Sequence, residues 1–108
     1  MRHRHFLPDL PFDLGTIVLS PGIIAVLPHN SDMRAFLDRV LEWHSATDFG
    51  IISRSTCFDN VVAALLGAGQ LTSRYLVPWP SCPEQSGIII TTHLDIGTTT
   101  IRFTGEQE

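Results

Sequence analysis

The sequence predicts an α+β protein: an antiparallel sheet of about four strands with two to three helices packed on one face. Three observations carry this. Gly87 to Phe103 holds two stretches with a side-chain period of two, separated by a turn. Upstream, Met33–His44 and Phe58–Leu66 repeat apolar residues at helical spacing. The resulting order is strand, short helix, two helices, then three strands. It leaves apolar helix stripes and sheet faces that must bury one another.

Residues 1–11, with Pro8, Pro11 and Arg2-His3-Arg4-His5, are expected to form a flexible N-terminal arm. Phe12 to Leu19 reads as a strand. Ser20 is a good N-cap and Pro21 suits the first helical position, so Ile23, Ile24, Val26 and Leu27 form a short helix stopped by Pro28. Asn30 or Ser31 then caps the clearest helix. There Met33, Phe36, Leu37, Val40, Leu41 and His44 make one stripe, while Arg34, Asp38, Arg39 and Glu42 take the other face. His44, at the stripe's edge, reads as a partly buried helix-end histidine that the helix dipole favours when charged.

A third helix follows Cys57. Phe58, Val61, Val62, Leu65 and Leu66 are expected to face the core, and Gly67 or Gly69 to end the helix. Leu71 to Val77 is a strand with Leu71, Ser73, Tyr75 and Val77 on one face. Pro78 to Gly87 is a connection stiffened by three prolines. The hairpin closes the fold: Ile88, Ile90, Thr92 and Leu94 share one face, Asp95-Ile96-Gly97 turns, and Thr99, Ile101 and Phe103 return. Residues 12–104 are expected to be a single domain and 105–108 a loose tail.

Composition narrows the class. The chain has 108 residues, 44% hydrophobic and 17% charged, enough for one core without metals or disulfides. No apolar run approaches the ~20 residues of a membrane span, so a soluble, cytoplasmic protein without a membrane partner is expected. The formal charge is −4 and all seven basic residues are arginines without a stripe, which argues against nonspecific nucleic-acid binding. Two cysteines, Cys57 and Cys82, permit one disulfide but make no framework and no zinc site; reduced thiols are expected.

Several stretches resemble small bacterial proteins known only as "plasmid-related". That family ends on a similar hairpin, an isoleucine–threonine strand, an aspartate turn and a threonine pair, as in Ile90 to Thr99 here. The run Phe12-x-Leu-Gly-x-Ile-Val-x-x-Pro-Gly22 is similar to its opening. So are His44, Asp48 and Gly50, with Phe49 where the family has tryptophan and Thr47 where it has glycine. Asn60, Ala64, Ser73 and Tyr75 also match. The connection after Val77 is longer than in the family, and His93 replaces a glutamate. The resemblance implies carriage on a mobile element and no particular activity.

Candidate functional residues fall into two groups. His44, Asp48, His93 and Asp95 are residue types that a metal centre or acid–base pair uses, but their spacing matches no known site. Asp95 equally suits a hairpin turn. The second group is aromatic. Trp79, held between Pro78 and Pro80, has the build of a binding anchor, and Trp43 flanks the long helix. No catalytic residue, metal or cofactor is assigned. The expected function is non-catalytic binding of a host protein or protein–nucleic-acid complex, an anti-CRISPR or anti-restriction role being one form. Two readings stay open beside it: a small enzyme or ligand-binding domain using the histidine–aspartate set, and a dimeric nucleic-acid-binding regulator. A homodimer is compatible with each.

Overall fold

The structure is a computed structural model that describes residues 12–77 and 87–106. Its elements run β1 (Thr16–Leu19), α1 (Pro21–Val26), a 3-10 turn (Leu27–His29), α2 (Ser31–Ser45), α3 (Arg54–Leu66), β2 (Gln70–Leu76), β3 (Gly87–His93) and β4 (Thr98–Phe103). The four strands form one sheet in the order β1-β4-β3-β2. The class is α+β as predicted, with helices on one face. The sheet, however, is mixed and not antiparallel throughout. β2–β3 and β3–β4 are antiparallel hairpin neighbours, but β1 lies parallel to β4, Thr16 beside Thr98 and Leu19 beside Ile101.

The parallel placement follows from what comes after β1. Ser20 caps α1 by accepting a hydrogen bond from the Ile23 amide, with Pro21 beginning the helix. α1 and the 3-10 turn carry the chain across the sheet's helix side to α2. Asn30 caps α2 through the Met33 amide. Met33, Phe36, Leu37, Val40 and His44 of α2 are buried as the periodicity predicts. They pack with Ile23 against Tyr75, Ile88, Ile90, Ile101 and Phe103. A smaller cluster of Phe49, Ala63 and Leu71, flanked by Phe12, Ile52, Cys57, Ala64 and Leu94, joins α3 to β2.

Two glycines make this packing possible. Gly15 has φ 66°, and a Cβ there would lie 2.0 Å from the Gly97 carbonyl oxygen, so the entry to β1 can press against the β3–β4 turn only as glycine. Gly50, with φ 73°, would place a Cβ 2.1 Å from the Arg74 carbonyl oxygen. It sits where residues 49–51 lie along β2: the Arg74 amide donates to the Phe49 carbonyl and the Ile51 amide to the Arg74 carbonyl. At the other end of the molecule the Glu106 carboxylate accepts hydrogen bonds from the Ser20 hydroxyl and from the Gly22 and Phe103 amides. Those bonds and nearby Arg102 hold it below the usual carboxylate range, outweighing the opposing effect of desolvation.

One expectation for the core is overturned. Phe58, Leu65 and Leu66 of α3 are 68%, 68% and 73% exposed, and Val62 is also exposed; of the expected stripe only Val61 is half-buried. The helix is turned so that Asn60 and Ala63 face inward. The cause is local. The Asn60 side-chain amide donates to the Thr72 carbonyl at 2.7 Å and its oxygen accepts from the Thr72 amide at 2.9 Å. That two-point bond, and the small Ala63 and Ala64 beside it, bring α3 close against β2.

Candidate functional site

His44 lies at the last turn of α2, on the stripe that meets the sheet, and is fully buried. Burial holds it neutral: desolvation lowers its pKa to about 3, outweighing the attraction of a helix C-terminus for a cation. Its ring nitrogens have partners. Nδ1 is hydrogen-bonded to Ser73 Oγ, and Nε2 is 2.8 Å from Thr92 Oγ1. Thr92 Oγ1 is in turn 2.8 Å from Thr99 Oγ1, whose hydroxyl donates to the Leu14 carbonyl at 2.6 Å.

The proton positions follow by elimination. Thr99 uses its hydrogen on Leu14, so it accepts from Thr92. Thr92 is thereby committed as donor, so it accepts from His44 Nε2–H. Nδ1 then carries no proton and accepts from the Ser73 hydroxyl. The result is a one-way strap, Ser73→His44→Thr92→Thr99→Leu14. It spans β2, β3, β4 and the entry to β1, so one side-chain chain crosses the whole sheet. The Ser73–His44 contact has the donor–acceptor sense of an activated serine nucleophile. Both residues are 0% exposed, so the arrangement ties the sheet together and presents no group to a solute.

The predicted histidine–aspartate set divides across the fold. Asp48 is buried just beyond α2, its carbonyl accepting from the Tyr75 hydroxyl at 2.6 Å. His93 follows Thr92 on β3. Thr92 faces the helices, so His93 points to the opposite face of the sheet. Asp95 lies in the turn, where Oδ2 accepts from the Gly69 amide at 3.2 Å and fastens the hairpin to the start of β2. Among the described residues no group of three or more histidine, cysteine, aspartate or glutamate side chains could hold a metal ion. Cys57 is a half-buried free thiol.

Trp43 is half-buried, its ring 5.7 Å from that of Tyr75 at a tilt of 46°. The two form a wall of an open cleft of about 310 Å³ beside β2, which Phe36, Arg39, Ile51 and Leu76 complete. Trp79, Pro78 and Pro80 lie outside the described residues. No family model, curated protein or solved structure matches the chain. The likeness to plasmid-related proteins rests on the sequence motifs quoted above.

Sequence reasoning missed Ser73, Thr92, Thr99 and Asn60 as a functional group of residues. A signal was present for the three strand residues: each is a polar residue in a row otherwise apolar and inward-facing. The first three share their rows with Leu71 and Tyr75, with Ile88 and Ile90, and with Ile101 and Phe103. Polar groups in such rows are buried only when hydrogen-bonded. Several in register therefore imply a network.

Proposed function

We propose that the chain is a non-catalytic binding module and that the outward face of α3 is its contact surface. The supporting observation is that Phe58, Val62, Leu65 and Leu66, at i, i+4, i+7 and i+8, form one continuous exposed apolar stripe. Such a stripe is the pattern of a helix that docks into an apolar groove of another protein. Charge is sparse along the helix, with only Arg54 and Asp59. A chain carrying the motifs of plasmid-related proteins finds its partner in the host. A protein or protein–nucleic-acid complex of host defence, bound in an anti-CRISPR or anti-restriction role, is the partner class we favour. The enzyme reading has less support, because His44 and Ser73 are sealed in the core while His93 and Asp95 lie elsewhere.

Affinity capture from host lysate with wild type and Leu65→Asp as paired baits tests this. The expected result is a defined set of proteins retained by wild type and lost with Leu65→Asp, with both baits melting alike. A Leu65→Asp protein that melts many degrees early would mean that the chain covers this face itself, which overturns the assignment.

A further inference from the structure

We infer that β1 is a homodimer interface: two copies pair their β1 strands antiparallel about a two-fold axis and so join two four-stranded sheets into one. The inference concerns a different surface from α3 and does not rest on the function proposed above.

The direction of the backbone groups comes first. The Thr16 amide donates to the Gly97 carbonyl and the Ser20 amide to the Ile101 carbonyl, both on the β4 side. Parity along a strand then turns the N–H and C=O of Ile17 and Leu19 away from the sheet. Among the described residues nothing accepts from or donates to them there. Natural edges are guarded by lysine, proline, bulges or inward charges. β1 is short, four residues, but Thr-Ile-Val-Leu carries no lysine, proline or charge, and Ile17 and Val18 are 39% and 44% exposed.

The surroundings select the occupant. On the helix side a pocket of about 200 Å³ runs between β1 and α2, lined by Ile17, Leu19, Leu37, Leu41, Arg34 and Asp38 among others. Its rim thus holds one cation and one anion four residues apart on α2. Neither has an ion-pair partner among the described residues. A two-fold axis normal to the sheet reverses every direction in the sheet plane, so α2 runs antiparallel to its copy. The order Arg34 then Asp38 on one helix is thereby set against Asp38 then Arg34 on the other, which puts unlike charges on facing rims in the proposed dimer. The surface is self-complementary in charge, which a foreign strand matches only by bringing the same pair in reverse order.

The strands agree in register as well. With Val18 on the axis, Ile17 stands opposite Leu19 of the second copy and Leu19 opposite its Ile17. Both residues of each pair have outward N–H and C=O groups, which is the hydrogen-bonded kind of antiparallel pair. Opposite residues share a face, so the four aliphatic side chains gather on the helix side, over the two pockets.

Sedimentation equilibrium and light scattering on the whole chain test this. Wild type is expected to show a concentration-dependent dimer. Arg34→Asp and Asp38→Arg are each expected to weaken association roughly tenfold, and the double variant to restore it. Ile17→Pro removes an amide hydrogen that no bond among the described residues uses and should leave a monomer with β1 still on β4. Should Ile17→Pro disturb the fold, the charge-swap rescue decides the matter alone. A wild-type chain that stays monomeric at every concentration overturns the proposal. So does a dimer indifferent to the charge swaps, or one lost only with Leu65→Asp, which would place the interface on α3.

Discussion

The two edges of the sheet are built to opposite specifications. Along the middle of β2 the outward backbone groups are occupied: Asn60 takes both those of Thr72, and Phe49 and Ile51 take both those of Arg74. Along β1 those of Ile17 and Leu19 have no partner among the described residues. The same chain therefore closes one edge with a side-chain amide and a short parallel stretch, and leaves the other uncharged. An exposed edge invites association, so an edge closed at one end and open at the other implies a single direction in which the sheet can be extended. The strap through His44 links the two, running from Ser73 on the closed edge to Leu14 at the start of the open one.

The largest expected effect comes from that strap. His44 has a folded pKa lowered to about 3 against an ordinary value of 6.5. Above pH 6.5 it is neutral folded or unfolded and adds no pH dependence. As pH falls below that value the unfolded chain gains a proton that the folded chain refuses, so stability falls. The loss is on the order of 1 kcal/mol by about pH 5.5 and continues to grow as pH falls toward the folded pKa. Glu106 runs in the same direction at lower pH, because its lowered folded pKa contributes stability that is lost as its carboxylate is protonated. The window for His44 therefore opens above the carboxylate range, near pH 6.5, and runs down through it toward about pH 3. Urea midpoints between pH 7 and 5 should drop for wild type and stay nearly level for His44→Gln. A flat wild-type profile would contradict the buried neutral imidazole.

Next in size is the closed edge. Asn60→Ala removes two hydrogen bonds and leaves the Thr72 amide and carbonyl without their partner, at about 2–3 kcal/mol. Chemical denaturation reads the loss, and light scattering on warming should show earlier aggregation through the unsealed β2. Unchanged stability would mean that water replaces the asparagine at no cost and that the edge is not held by it.

A smaller effect is expected beside the strap. Thr47 is a buried β-branched residue at φ 64°, in the left-handed region that glycine occupies without penalty. Thr47→Gly should stabilise by about 0.5–1 kcal/mol, relief of backbone strain outweighing the added chain entropy and the lost side chain. A lower melting temperature would show that the threonine's packing outweighs its backbone.

The smallest effect belongs to the open edge. Val18→Lys puts a charge on an exposed position of β1 and should change monomer stability by no more than about 0.5 kcal/mol. A loss of several kcal/mol in dilute protein would mean that β1 is buried by its own chain, and the contrast between the edges would vanish.

What could be read from the sequence was what depends on neighbours in the chain. α2 has its Asn30 cap and its buried row because caps and periodicity are local. The β3–β4 hairpin follows from alternation and a glycine turn for the same reason. The parallel neighbour of β1 was not legible, because alternation shows that a strand exists and not which strand it joins. The turn of α3 failed for a related reason. Apolar spacing at 58, 61, 62, 65 and 66 marks one side of a helix, yet whether that side meets the sheet was decided by Asn60 reaching the Thr72 backbone. His44 was placed on the right stripe, but its charge state depends on complete burial against strands distant in the chain, which helical spacing does not show.

The pairing of β1 with β4 also sets an order of events in time. Among the described residues the first strand made has no neighbour in the sheet except the last one, since Thr16 must find Thr98. During synthesis, at roughly 5–20 residues per second, β1 waits for seconds while α2, α3 and the β2–β3 pair have what they need to form. Closing so long a loop is slow relative to the local hairpins, so docking of β1 is the late step and the first to reverse. Amide exchange should find Val18 the earliest strand amide to open, and a ribosome-bound chain stalled before Thr98 should hold its helices while Thr16 to Leu19 remains accessible to protease.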